Sequence, residues 1–269
     1  ENEASDFAAA RRCFEEAERL LTRAGASQDL IKVSTNLALT AAKLGDRSVA
    51  DLHLERAASL LGHFPVQRLE CFAAYSRGLV RHIFGDCDEA LEALDGAIAL
   101  SRALGDRVMT SFARIHAAEA ALLAGRHETA LSYLHGVKSP ETTSLPVLAR
   151  MTASRLFHLE PLLGRRRRAQ QAIARLHEVP RSDVLYLETW NDLFAGLGSL
   201  ARGEDASPMF ERCRQAFAKM RVPHGARLAR LGLLAGAIAS GDGARVRKLT
   251  SQLEGDERPD HRLLQVAEP

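Results

Sequence analysis

The segment Gly78-Leu79-Val80-Arg81-His82-Ile83-Phe84-Gly85-Asp86-Cys87-Asp88-Glu89-Ala90-Leu91-Glu92-Ala93-Leu94-Asp95-Gly96-Ala97 decides the fold. Its second half puts Ala90, Leu91, Leu94, Ala97 and Ile98 at spacings of one, three and four, which is one apolar face of a helix. Gly85 suits a helix C-terminus, where a left-handed residue without Cβ ends the turn. Asp86 can cap the next helix, and Asp86 with Glu89 has the spacing of a capping box. The stretch therefore predicts two antiparallel helices joined at Gly85.

Working outward, the same arrangement returns every forty residues. Gly45, Gly85 and Gly125 are in register, each followed five residues later by Ala50, Ala90 and Ala130 and nine later by Leu54, Leu94 and Leu134. Gly164, Gly203 and Gly241 continue the series at spacings of 39, 39 and 38. Backwards, Ala10, Phe14 and Ala17 occupy the slots of a second helix with no first helix before it. Such a period marks stacked supersecondary units, none of which buries its apolar stripe alone. Small residues at Ala50, Ala90, Gly78 and Gly196 let helices approach closely, while Leu54, Leu94 and Leu134 fill the gaps between hairpins.

The predicted architecture is all-α. A lone helix lies at 6–23, followed by the pairs 28–44 with 47–61, 67–84 with 87–103, 107–124 with 127–137, 145–163 with 166–178, 182–202 with 208–220 and 224–240 with 243–254. At 208–220, Ser207 reads as the N-cap, followed by Pro208 at the first helical position. Pro161 should loosen the last turn of its helix. Residues 1–254 form one solenoid in this reading, and 255–269 a polar tail.

Composition narrows the function. The 269 residues are 46% apolar, 26% charged and 5% aromatic, too apolar for a disordered chain. No apolar run approaches eighteen residues, so no transmembrane helix or membrane partner is expected, and no signal peptide is visible. Cys13, Cys71, Cys87 and Cys213 are too scattered for a disulfide framework or a zinc site, which points to a reducing cytoplasm. No phosphate loop, GxGxxG, HExxH or GxSxG motif occurs, and the ten His are dispersed. No catalytic residue, metal or cofactor is expected. Charge is uneven, −5 over residues 1–100 and +7 over 101–269, and the basic excess peaks with eight Arg between 150 and 181. A solvated helical face is the ordinary source of such an excess.

The slots Gly78, Gly85-Asp86, Ala90, Leu94 and Ala97 resemble tetratricopeptide repeats. The likeness covers nearly the whole chain, strongly at 28–138 and loosely after 140, with a forty-residue period in place of the family's ~34. Long repeats of this kind resemble those of bacterial maltose-activator-like regulators and the C-terminal repeats of multidomain bacterial Ser/Thr kinases. The resemblance implies a right-handed superhelix of about six hairpins plus one N-terminal helix. It also implies a concave groove lined by first helices, within a cytosolic signalling or regulatory protein cut to this piece.

Carried over residue by residue, the groove positions are Phe72, Tyr75 and His82 on one hairpin, Phe112, His116 and Glu119 on the next, and Trp190 further on. The carboxylate clamp of some family members is absent, since these hairpins offer aromatic and apolar residues instead of Lys and Asn. The expected ligand is a protein or peptide, with a receptor for a small molecule or signalling peptide as the alternative. Arg165, Arg166, Arg167 and Arg168 open a second helix, where cations oppose the helix dipole, so an acidic protein partner would suit them. No aromatics interleave these arginines, which argues against nucleic acid. The flank at Phe7, Phe14 and Leu20 lacks a neighbouring hairpin and should meet upstream sequence or a second copy.

Overall fold

The computed structural model describes residues 6–137 and 145–254. Among them the chain forms thirteen helices and no strand. In order they are α1 (Phe7–Ala24), α2 (Ser27–Lys43), α3 (Arg47–His63), α4 (Gln67–Ile83), α5 (Cys87–Ala103), α6 (Arg107–Leu123) and α7 (His127–His135). There follow α8 (Pro146–Leu162), α9 (Arg166–Glu178), α10 (Leu185–Ala201), α11 (Ser207–Lys219), α12 (Pro223–Ala239) and α13 (Gly243–Glu254). They pack in sequence as antiparallel pairs, a repeat-like helical array. The polar tail expected at 255–269 lies outside the described residues.

The glycine beat sets the turns. Gly45, Gly85, Gly125, Gly164, Gly203 and Gly241 all adopt φ between 69° and 84°. At Gly45 the amide donates to Ala42 O, and the following Asp46 amide reaches back to Ala41 O, both at 2.9 Å. The pattern repeats at Gly85, Gly164, Gly203 and Gly241, a Schellman closure that satisfies the orphan carbonyls of each first helix. All six first helices, α2 to α12 in even numbers, are 17 residues long. The second helices shrink, from 17 residues in α3 and α5 to 13 in α9 and α11.

Capping follows the sequence in part. Asp46 accepts from Val49 N and Asp242 from Arg245 N. Asp86 makes no side-chain cap: its carboxylate is taken by Arg47 and Arg81, so the capping box is not formed. The α11 N-cap is Ala206, one residue earlier than expected, with Ser207 inside the helix and its amide donating to Asp205. Pro161 falls in the last turn of α8, which ends one residue later.

The described residues fall into two compact units, 6–121 and 122–254. In the first, Ala38, Ala41 and Ala42 of α2, Ala50 and Leu54 of α3 and Val80 and Ile83 of α4 form one cluster. In the second, Ala153 and Phe157 of α8, Ala169, Ala172 and Leu176 of α9 and Ala195 of α10 do the same. Each core thus draws on two adjacent hairpins, as stacking requires. A Cβ on Gly78 would sit 2.5 Å from Leu94 Cγ, which shows how closely α4 and α5 approach.

Candidate functional site

In the first unit, α4 presents Phe72, Tyr75 and His82 at spacings of three and seven, so one helical face carries all three. α6 presents Phe112, His116 and Glu119 in the same way. The two faces meet. The rings of Tyr75 and His116 lie 5.8 Å apart, tilted by 57°. His116 Nδ1 donates to Glu119 Oε2 at 2.9 Å, and His82 Nε2 lies 3.5 Å from the same oxygen.

The exposure divides this set in two. Phe72, Tyr75, Phe112 and His116 are half-buried, while His82 and Glu119 are closed off behind them. The buried carboxylate holds the His116 ring from behind, and His116 in turn braces Tyr75. Tyr75 and His116 are thus a contacting pair of rings with polar tips and a fixed backing, and Phe72 and Phe112 add half-exposed rings to the same faces of this α4–α6 wall. Such residues offer large contact area at low entropic cost, because each has only two side-chain torsions to immobilise.

Trp190, on α10 in the second unit, is half-buried and packs on Phe217 at 5.0 Å and His224 at 5.7 Å. It joins α10 to α11 and α12. Of the arginine run, Arg165 is drawn to Glu128 at 3.1 Å and sits 4.0 Å from the buried Glu160. Arg166, Arg167 and Arg168 are exposed on the first turn of α9.

Two arginines of the basic stretch are not on a solvated face. Arg150 and Arg155 are 5% and 1% exposed, inside a helix that is buried on nearly every side. Arg150 grips Glu188 of α10 with Nε and Nη2 at 2.9–3.1 Å and gives Nη1 to the carbonyls of Leu176 and Val179, both at 2.8 Å. Arg155 donates to Asn191 and to Ser154, with its guanidinium 4.3 Å over the Phe194 ring. Asn191 closes the chain by donating to Glu188 at 3.2 Å. A buried charge is tolerable only when it is paired and hydrogen-bonded, a condition that Arg150 meets through Glu188 and two carbonyls. His158, one turn further along α8, has its pKa pushed down to about 3 by burial, so it is held neutral.

Next to this network the packing opens. α9 packs on α8, and a cavity of about 980 Å³ separates it from α10 and α11. The α10 stripe Leu185, Glu188, Thr189, Asp192, Ala195 and Ser199 forms its floor, continued by Arg202 and Glu204. Ile173 and Leu176 of α9 form one wall, and Met209, Cys213 and Ala216 of α11 the other. Burial raises the Cys213 thiol to about 12, so it is a wall residue and not a nucleophile. None of the groove residues or run arginines singled out from the sequence lines this cavity.

Among the described residues no helix is long and apolar enough to cross a membrane. No protein-family model matches the sequence, and no curated protein matches it. What the fold defines is its class: a helical-repeat protein of regularly spaced helices packed in pairs.

Proposed function

We propose that this chain is a non-catalytic module for recognising a protein or peptide, built on repeats of the tetratricopeptide kind. It would serve as the scaffold or sensor of a larger cytosolic bacterial signalling or regulatory protein. One observation carries the reading: two consecutive first helices bring Tyr75 and His116 into ring contact, half-exposed, over the buried His82 and Glu119, with the half-exposed Phe72 and Phe112 on the same two helical faces. A helix wall used only for packing would bury these rings. Preorganised aromatics are what a recognition surface needs, since little order is lost when the ligand arrives.

The test is capture of a partner by the intact protein, compared with Tyr75→Ala/Phe112→Ala and with a control at the exposed Leu52 of α3. At ~2 kcal/mol for each hot-spot side chain, loss of one anchor should weaken binding about thirtyfold and loss of both by more. The Leu52→Ala protein should bind as before. Equal capture by both variants would reject the wall as the recognition surface.

A further inference from the structure

We infer that the groove between α9 and α11 is a second binding site, separate from the α4–α6 wall, and that its ligand is an extended acidic peptide segment carrying apolar side chains. Length comes first. The floor runs from Leu185 to Arg202 along α10, about 26 Å at 1.5 Å per residue. At roughly 3.3 Å per residue, that accommodates about eight extended residues. Two 13-residue helices flank it across one floor helix.

The surfaces define the ligand's character. The walls are apolar, at Ile173, Leu176, Met209 and Ala216. The floor is polar at intervals, at Thr189, Asp192 and Ser199; Thr189 is bonded to Leu185 O and Asp192 to Arg181, which leaves the half-buried Ser199 to face an extended main chain. The floor's acids are already neutralised. Glu188 is held by Arg150, and Asp192 takes a two-pronged bond from Arg181 at 2.8 and 3.1 Å. Glu204 is paired with Arg202 at 2.6 Å.

That leaves Arg212 and Glu178 as the remaining charges that line the groove, and the net charges of the two flanking helices around them are basic. α9 carries four Arg against Glu178, a net of +3; α11 carries Arg212, Arg214 and Lys219 against Glu211, a net of +2. Arg166 stands two turns before Ile173 on the same face of α9, and Arg212 lines the groove on α11; both are exposed. Charge complementarity thus selects acidic residues at the rims, while the walls select apolar ones between them. A basic peptide would meet the same rims as a repulsion.

The experiment measures binding of labelled peptides of alternating Glu and Leu, Lys and Leu, and Glu and Ser to the full chain by fluorescence anisotropy. The Glu/Leu peptide should bind at least about tenfold more tightly than the other two, and less tightly as salt is raised. Arg166→Glu/Arg212→Glu should weaken it by about tenfold or more. Ala216→Trp should obstruct the groove and abolish binding while the urea transition stays unchanged. Tyr75→Ala/Phe112→Ala should leave this affinity as it is, which separates the groove from the α4–α6 wall. Equal binding of the three peptides, or Glu/Leu binding that survives both groove variants, would overturn the assignment.

Discussion

Adding one methyl group at Gly198 should destabilise the second unit, and the size of the effect can be worked from the contact between α8 and α10. A Cβ there would lie 2.7 Å from the carbonyl oxygen of Phe157 and 2.6 Å from its ring Cδ1. An ordinary contact begins at 3.4 Å, so α10 would have to retreat by about 0.7 Å. Because the obstacle is main chain, no side-chain rotation relieves it. The retreat also stretches the bonds from Arg150 to Glu188 and from Arg155 to Asn191, which span the same two helices. Overpacking costs about 1–3 kcal/mol, and a rigid obstacle puts this case at the upper end. Alanine returns about 1 kcal/mol of helix propensity, which leaves a net loss of ~2 kcal/mol.

The assay is urea unfolding followed by fluorescence of Trp190, the sole tryptophan, which lies on the same helix as Gly198. With a slope of about 2–3 kcal/mol per molar, the midpoint should fall by ~0.7–1 M. Gly96 in α5 is the counterpart, exposed and with no atom within 4 Å of an added Cβ. Gly96→Ala should raise the circular-dichroism midpoint through propensity alone. A Gly198→Ala protein as stable as the parent would refute the close approach of α8 and α10.

Three further outcomes are expected. Arg150→Met removes the main counter-ion of Glu188, leaving it Arg181 at 3.4 Å and the Ser182 and Asn191 N–H groups, and should cost about 3 kcal/mol in urea unfolding, whereas Arg150→Met/Glu188→Leu should recover a large part; a double variant as unstable as the single would contradict the pairing. Arg221 is the one non-glycine residue with positive φ among those described, at 56° in the turn between α11 and α12, so Arg221→Gly should raise the melting temperature by relieving about 1 kcal/mol, and a lower one would show that its side chain is needed. His158 titrates near 3 when folded and near 6.5 when unfolded, so its contribution is complete above about pH 6.5 and lost towards pH 3, at up to ~1.4 kcal/mol per pH unit. His158→Leu should make stability fall less steeply over that window, measured as urea midpoints across the range; an unaltered slope would place the proton uptake elsewhere.

The turns were legible because a left-handed residue at each hairpin admits little but glycine, and the period made those glycines visible as a set. Helix bounds followed to within a few residues, since the apolar spacing and the turns constrain them together. Asp86 shows where local reading stops: its neighbour Glu89 suggested a capping box, but Arg47, a repeat earlier, captures the carboxylate. The interior arginines escaped for the same reason. Arg150 finds Glu188 38 residues on and Arg155 finds Asn191 36 on, close to one period, so their burial depends on the next hairpin. Charges set within the apolar run Leu148–Leu159 were the available signal, had they been compared at one-repeat offset. The groove was readable only in the contraction of α9 and α11 and in the polar stripe at Glu188, Asp192 and Ser199, where a packed hairpin would be apolar. On the α4–α6 wall, the resemblance to tetratricopeptide repeats singled out all six side chains, but the division into exposed rings and buried His82 and Glu119 arises from packing between the helices.

The most direct measurement of the recognition role is site-specific photocrosslinking. A benzoylphenylalanine is placed in turn at Tyr75 and at the exposed Leu52, and each protein is irradiated with its captured partner. A covalent adduct is expected from position 75 and none from position 52. An adduct from position 52 with none from position 75 would contradict it.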